Sequence, residues 1–233
     1  MFRTAIRARN NFTTTSLVNM TSAAGFYTKE KPLVTITGFE GFLGSHTGLE
    51  FLKNGSFRVR GTIRKSTDME KLAPIKAAYG EHWDSLELVQ AELLEEGSME
   101  KAIQGSTYVA HLASPFLLGN KTLDELVQPA VDGTSAVMKA CHAAAIKRCV
   151  ITSSIASVRW MAKADTPKDE VYDESCWSNP NREGGMGDYA MSKILAERLA
   201  WDYQASNGYP FELVTICPTL MMGPGIVEPN SVS

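Results

Sequence analysis

Tyr189 and Lys193 stand four residues apart in "DYAMSK", a spacing that brings both side chains out on one face of a helix. A free tyrosine, with a pKa near ~10, is a poor acid–base group at neutral pH. An ammonium one turn away favours the phenolate and draws that value toward the working range. The run "TSS", Thr152 to Ser154, closes an apolar stretch upstream and offers a hydroxyl that can hold a carbonyl oxygen. Together these groups could deliver a proton to that oxygen.

A second constellation lies near the start. In "TITGFEGFLGSH", Gly38, Gly41 and Gly44 recur every third residue directly after an apolar run. Glycine permits a tight turn and lets a pyrophosphate approach main-chain N–H groups where the helix dipole is positive. The backbone of Gly38, Gly41, Phe42, Leu43 and Gly44 is therefore the expected phosphate cradle. Glu40 is out of character there, because a carboxylate within about 5 Å of a phosphate repels it unless it turns away or meets a cation. It is expected to face solvent. Phe39 is a bulky neighbour that could crowd the crevice.

The next strand ends in Arg64 and Lys65, with Lys71 a turn or two further on. An NAD site carries an acidic acceptor for the ribose 2′-OH about 20 positions after the glycine loop. Two cations at that strand end favour a 2′-phosphate instead, and so NADP(H).

These groups need a scaffold. Apolar strands are expected at 33–37, 57–64, 86–93, 106–113, 148–154 and 211–218, with helical patterns between them. One of those helices contains Pro129, and another carries Tyr189 and Lys193. Strands apolar on both faces and separated by helices require a parallel sheet covered on both sides. The fold expected is α/β, a doubly wound parallel sheet of Rossmann type spanning residues 31–233.

With glycine loop, strand-end serine and Tyr-x-x-x-Lys helix in this order, the chain resembles the extended short-chain dehydrogenase/reductases. "AELLEEGSMEKAIQG", "VYDESCWS", "YAMSKILAERLAWDY" and "ICPTLMMGPG" are most similar to the branch of dihydroflavonol and cinnamoyl-CoA reductases. The resemblance implies an NADPH-dependent reductase of a small-molecule aldehyde or ketone. In it Tyr189 protonates the carbonyl oxygen, Ser154 rather than Ser153 is the catalytic serine, and Lys193 holds the nicotinamide ribose and lowers the pKa of Tyr189. It also implies that Arg64 and Lys71 bind the 2′-phosphate and that Glu92 and Leu93 lie by the adenine. Ala113, Ser114 and Pro115 would run along the cofactor, with Pro218 at its nicotinamide end. Members of the family continue past "GPG", so the substrate region at the C-terminus is expected to be largely missing. The asparagine many of them carry falls near Ala130.

Composition limits the alternatives. A net charge of −3 over 233 residues gives no reason to expect nucleic acid, and no apolar run approaches the ~20 residues of a membrane span. Cys141, Cys149, Cys176 and Cys217 form no C-x-x-C pair and read as free thiols, with no metal site expected. His111 reads as a structural histidine. Residues 1–30 are rich in Arg and Ser and acid-poor before Glu30, the composition of a mitochondrial presequence; a disordered tail on a cytoplasmic protein is the alternative. A second functional reading is a catalytically silent nucleotide-binding subunit of a larger, mitochondrial assembly; as for partners, either a homodimer or such an assembly is expected. Sugar-nucleotide epimerase or dehydratase chemistry uses the same trio with tightly held NAD, and Arg64 and Lys65 argue against it.

Overall fold

The computed structural model describes residues 5–8, 30–67, 69–114, 123–161, 169, 171–181 and 187–226. Among these residues there are seven strands: β1 (Ala5–Ala8), β2 (Leu33–Thr37), β3 (Arg58–Ile63), β4 (Leu86–Gln90), β5 (Tyr108–His111), β6 (Arg148–Thr152) and β7 (Glu212–Cys217). They form one sheet in the order β1-β7-β6-β5-β2-β3-β4. Strands β2 to β7 are parallel, and β1 pairs antiparallel with β7, Ala5 opposite Cys217 and Ala8 opposite Val214.

The main helices are α1 (Phe42–Asn54), α2 (Ala73–Tyr79), α3 (Ser98–Ile103), α4 (Leu123–Ala143), α5 (Ala156–Arg159) and α6 (Asp188–Ser206). Side chains alternate across each strand, so one strand feeds two cores. On β5, Val109 joins Met99, Ile103, Val137 and Met138 of α3 and α4, whereas Ala110 joins Ile36, Leu49, Leu52 and Ile75 on the α1–α2 face. Both faces are covered, as a parallel sheet requires. Neighbouring strands β2 and β5 send their chains to opposite faces, so a crevice opens beyond their C-terminal ends.

Gly55 ends α1 in the left-handed conformation, φ 72°, with its N–H on the carbonyls of Phe51 and Leu52. Pro74 sits in the first turn of α2, where its missing N–H costs nothing, and a 3-10 turn over Met69–Leu72 precedes it. Pro129 lies within α4.

Within the stretch whose composition is that of a presequence, Ala5–Ala8 forms the edge strand β1, an element the sequence reading did not include. "AIRA" is too short to register as a strand by pattern; its pairing comes from the exposed side of β7.

Candidate active site

The glycine loop joins β2 to α1. Gly38 has φ 69°, and a Cβ there would lie 2.8 Å from the backbone of Ala113. A Cβ on Gly44 would lie 2.2 Å from the Gly38 carbonyl. Only glycine lets the turn close over the sheet at both positions. Gly41 is the N-cap of α1, whose first turn holds no acidic residue. Among the described residues no side chain caps it, so the amides of Phe42, Leu43 and Gly44 stay open to an anion.

Phe39 does not crowd this loop. It is fully buried beneath it, edge-on to Tyr79 at 5.8 Å between ring centroids. The space for its ring is left by two further glycines: a Cβ on Gly61 would sit 2.4 Å from its Cγ, and one on Gly48 2.7 Å from its Cε2.

Glu40 does not face solvent as expected. Arg64 Nε donates to its Oε1 at 2.7 Å, and the Thr67 hydroxyl donates to its Oε2. Its side chain is 14% exposed against 55% for Arg64. An available cation outweighs the solvation of a lone carboxylate in a partly buried loop.

Nearby, Lys65 Nζ pairs with Glu95, and the Lys65 N–H donates to Glu92 Oε1 at 2.7 Å. Lys71 is exposed on the 3-10 turn. Leu93 packs on α4, where a Cβ on Gly133 would come within 2.4 Å of it.

The crevice itself is lined by Leu93, Ala113, Ser114, Ser153, Lys193 and Glu197, among others. Pro115 lies outside the described residues. Pro218 is half-buried where β7 ends, and its carbonyl accepts the Ile155 N–H at 2.9 Å. A larger cavity of ≈ 510 Å³, lined by Tyr108, Arg148, Trp201 and Phe211, opens at the opposite end of the strands, away from every group considered for chemistry.

Tyr189 and Lys193 emerge together from α6, the ammonium 5.9 Å from the ring centroid. Tyr189 is 43% exposed at the crevice mouth. Burial of the rest of the ring raises its pKa, and a hydrogen bond with the Ser154 hydroxyl lowers it. Desolvation also pulls the Lys193 pKa down to about 8. Ser154, not Ser153, reaches Tyr189. The Ser153 hydroxyl instead donates to Glu197 Oε2 and lies 2.9 Å from Ser157 Oγ.

Two groups escaped the sequence reading. Glu197 continues the Tyr189–Lys193 spacing by one more turn, and that repeat of four was the available signal. It is buried, accepts from Thr215 Oγ1 at 2.8 Å and is 3.7 Å from Cys217 Sγ, tying α6 to the ends of β6 and β7. Thr37 Oγ1 accepts the N–H groups of Leu112 and Ala113, each at 3.2 Å, which leaves its proton for His111 Nδ1 at 2.8 Å. Burial first, and then the nearby Lys193 charge, push the His111 pKa down to about 3, so this histidine stays neutral. No sequence signal linked Thr37 to His111.

The four cysteines are buried and none forms a disulfide. No described helix is long and apolar enough to cross a membrane, and no metal-binding cluster occurs among the described residues.

Comparison with known proteins agrees with this geometry. The NAD dependent epimerase/dehydratase family matches residues 34–233. Dihydroflavonol 4-reductase of Zea mays is 37% identical over 205 residues, covering 84% of this chain and 55% of that protein. Tetraketide alpha-pyrone reductase 1 of Arabidopsis thaliana is 38% identical over 199 residues, covering 84% and 59%. Among solved structures, yeast methylglyoxal/isovaleraldehyde reductase complexed with NADPH superposes with a TM-score of 0.69 at 26% identity, covering 83% of this chain and 59% of that one. Vestitone reductase from alfalfa, Medicago sativa, gives 0.65 at 29% identity, covering 84% and 59%. The chain thus spans a little over half the length of the relatives it matches. By fold, by the order of its glycine loop, Ser154, Tyr189 and Lys193, and by sequence, this chain belongs to the NAD dependent epimerase/dehydratase family, the extended short-chain dehydrogenase/reductases.

Proposed function

We propose that the protein is an NADPH-dependent reductase of a small-molecule aldehyde or ketone. The observation that carries this reading is the Ser154–Tyr189 hydrogen bond, with Lys193 one turn along, over the crevice that the glycine loop opens. The relatives named as reductases, and the NADPH bound to the yeast structure, support it.

The chain fits the cofactor. Gly38 and Gly44 keep the cradle clear of side chains, the open amides of α1 suit a pyrophosphate, and Arg64 and Lys71 suit a 2′-phosphate. When bound, NADPH supplies the hydride.

The protein groups handle the proton. Because burial raises its pKa, Tyr189 is a neutral phenol at pH 7, the form needed to donate to a carbonyl oxygen. Ser154 can hold the same oxygen from the other side. Lys193, with a pKa of about 8, is still mostly charged at pH 7 and stabilises the phenolate left behind. Neutral His111 adds no competing charge beneath it.

The test is to titrate the protein with NADPH and NADH, then follow nicotinamide absorbance with a panel of small aldehydes and aromatic ketones. Wild type should turn over. Tyr189→Phe should lose about 10²- to 10⁴-fold in turnover while binding NADPH unchanged. Tight binding with no turnover on any carbonyl in wild type would leave a nucleotide-binding subunit and refute the reductase.

A further inference from the structure

Glu40 occupies the one place in the phosphate loop where a carboxylate is least expected, and it is held there by two named donors, Arg64 and Thr67. We propose that Glu40 sets the cofactor selectivity of this protein: it competes with a 2′-phosphate for Arg64 and offers an acceptor to a free ribose 2′-hydroxyl, so discrimination between NADP(H) and NAD(H) is weak. This rests on the nucleotide-binding reading above.

Arg64 lies at the end of β3, where a nucleotide-binding sheet delivers the adenosine ribose. With its Nε committed to Glu40, only the outer part of the guanidinium is left for a ligand. The neighbouring cation is also committed, Lys65 Nζ to Glu95, and Glu92 receives the Lys65 N–H. Both strand-end cations are therefore paired with a carboxylate, Arg64 with Glu40 and Lys65 with Glu95, and Lys71 stands exposed on the following turn.

A phosphate monoester brings about two negative charges to that setting. It must share Arg64 with a fixed carboxylate and is repelled by it. A hydroxyl meets no such penalty. Each Glu40 oxygen has accepting capacity beyond its one bond to Arg64 or Thr67, and an acidic acceptor is what an NAD-type site uses for the ribose. A surface ion pair alone would be of little interest. This one holds the cation best placed for the 2′-phosphate.

The experiment compares adenosine 2′,5′-bisphosphate with 5′-AMP by calorimetric titration of the full chain. The two probes differ only in the 2′-phosphate and need no nicotinamide chemistry. In Glu40→Gln the bisphosphate should bind about fivefold or more tighter, with 5′-AMP unchanged or weaker. Glu40→Ala should raise the ratio in the same direction, and Arg64→Gln should collapse it. A ratio that is unchanged or falls in both Glu40 variants, with both probes still bound, overturns the proposal and makes Glu40 a bystander or a support for Arg64. If neither probe binds wild type, the nucleotide-binding reading fails first and takes this one with it.

Discussion

Lys193 is a charged group in a place that penalises charge. Desolvation brings its pKa from 10.5 to about 8, so the folded state releases a proton that the unfolded state keeps between those values. The unfolded chain binds more protons in that window, and stability therefore rises with pH from about 8 to about 10.5. Below pH 8 the penalty is present in full, at most about 3 kcal/mol for a shift of this size. Lys193→Met should accordingly melt higher than wild type at pH 7 while losing turnover, and the gap should narrow toward pH 10 in thermal melts. A gap that widened with pH would contradict the assigned cause. At this scale the sequence was most informative where spacing encodes geometry. Tyr189 and Lys193 could be named from helical period, while the strand end offered only the "TSS" hydroxyls and the choice of Ser154 among them came from the family resemblance. Glu40 and Phe39 could not be placed, because their fates depend on Arg64, Gly61 and Gly48, residues distant in sequence.

The β2–loop–α1–β3 unit shows how that distance operates. Phe39 fills a volume that Gly48 on α1 and Gly61 on β3 leave open, and Tyr79 on α2 closes it with a hydroxyl that donates to the Ser45 carbonyl at 2.6 Å. Gly61→Ala should overpack this site and cost about 1–3 kcal/mol. Phe39→Ala should leave a cavity and cost about 3–5 kcal/mol. In the double variant the added methyl enters the vacated space, so the two losses should not add. A double-mutant cycle by denaturant melts should show a coupling of about 1 kcal/mol or more, and strict additivity would mean the residues do not share the volume. Element types along this unit were readable because β-branched runs and glycine caps are local signals. The six parallel strands start and stop within a few residues of expectation for that reason. The α5 turn and β1 were not readable, since four residues carry too little periodicity to mark either one.

In the whole molecule, the sheet is parallel except at one edge, and that edge is made by the chain's own beginning. Ala5–Ala8 covers the backbone of residues 214–217, the end of the strand that runs on into Pro218 at the crevice. Unpaired strand edges invite pairing with other chains. Removing residues 1–29 should therefore lower the melting temperature and promote concentration-dependent self-association, measurable by light scattering. A truncated protein that stays monomeric with an unchanged melt would show that the edge needs no cover. The doubly wound order followed from alternating strands and helices; an antiparallel addition from an Arg-rich tail did not, because tail composition describes solubility and targeting rather than pairing.

The same stretch cannot serve as an address label and as a structural stave at one moment. A residue paired in the sheet must unpair before the chain around it can take another conformation, so any use of this stretch as a leader would have to open the Ile6–Ile216 register first.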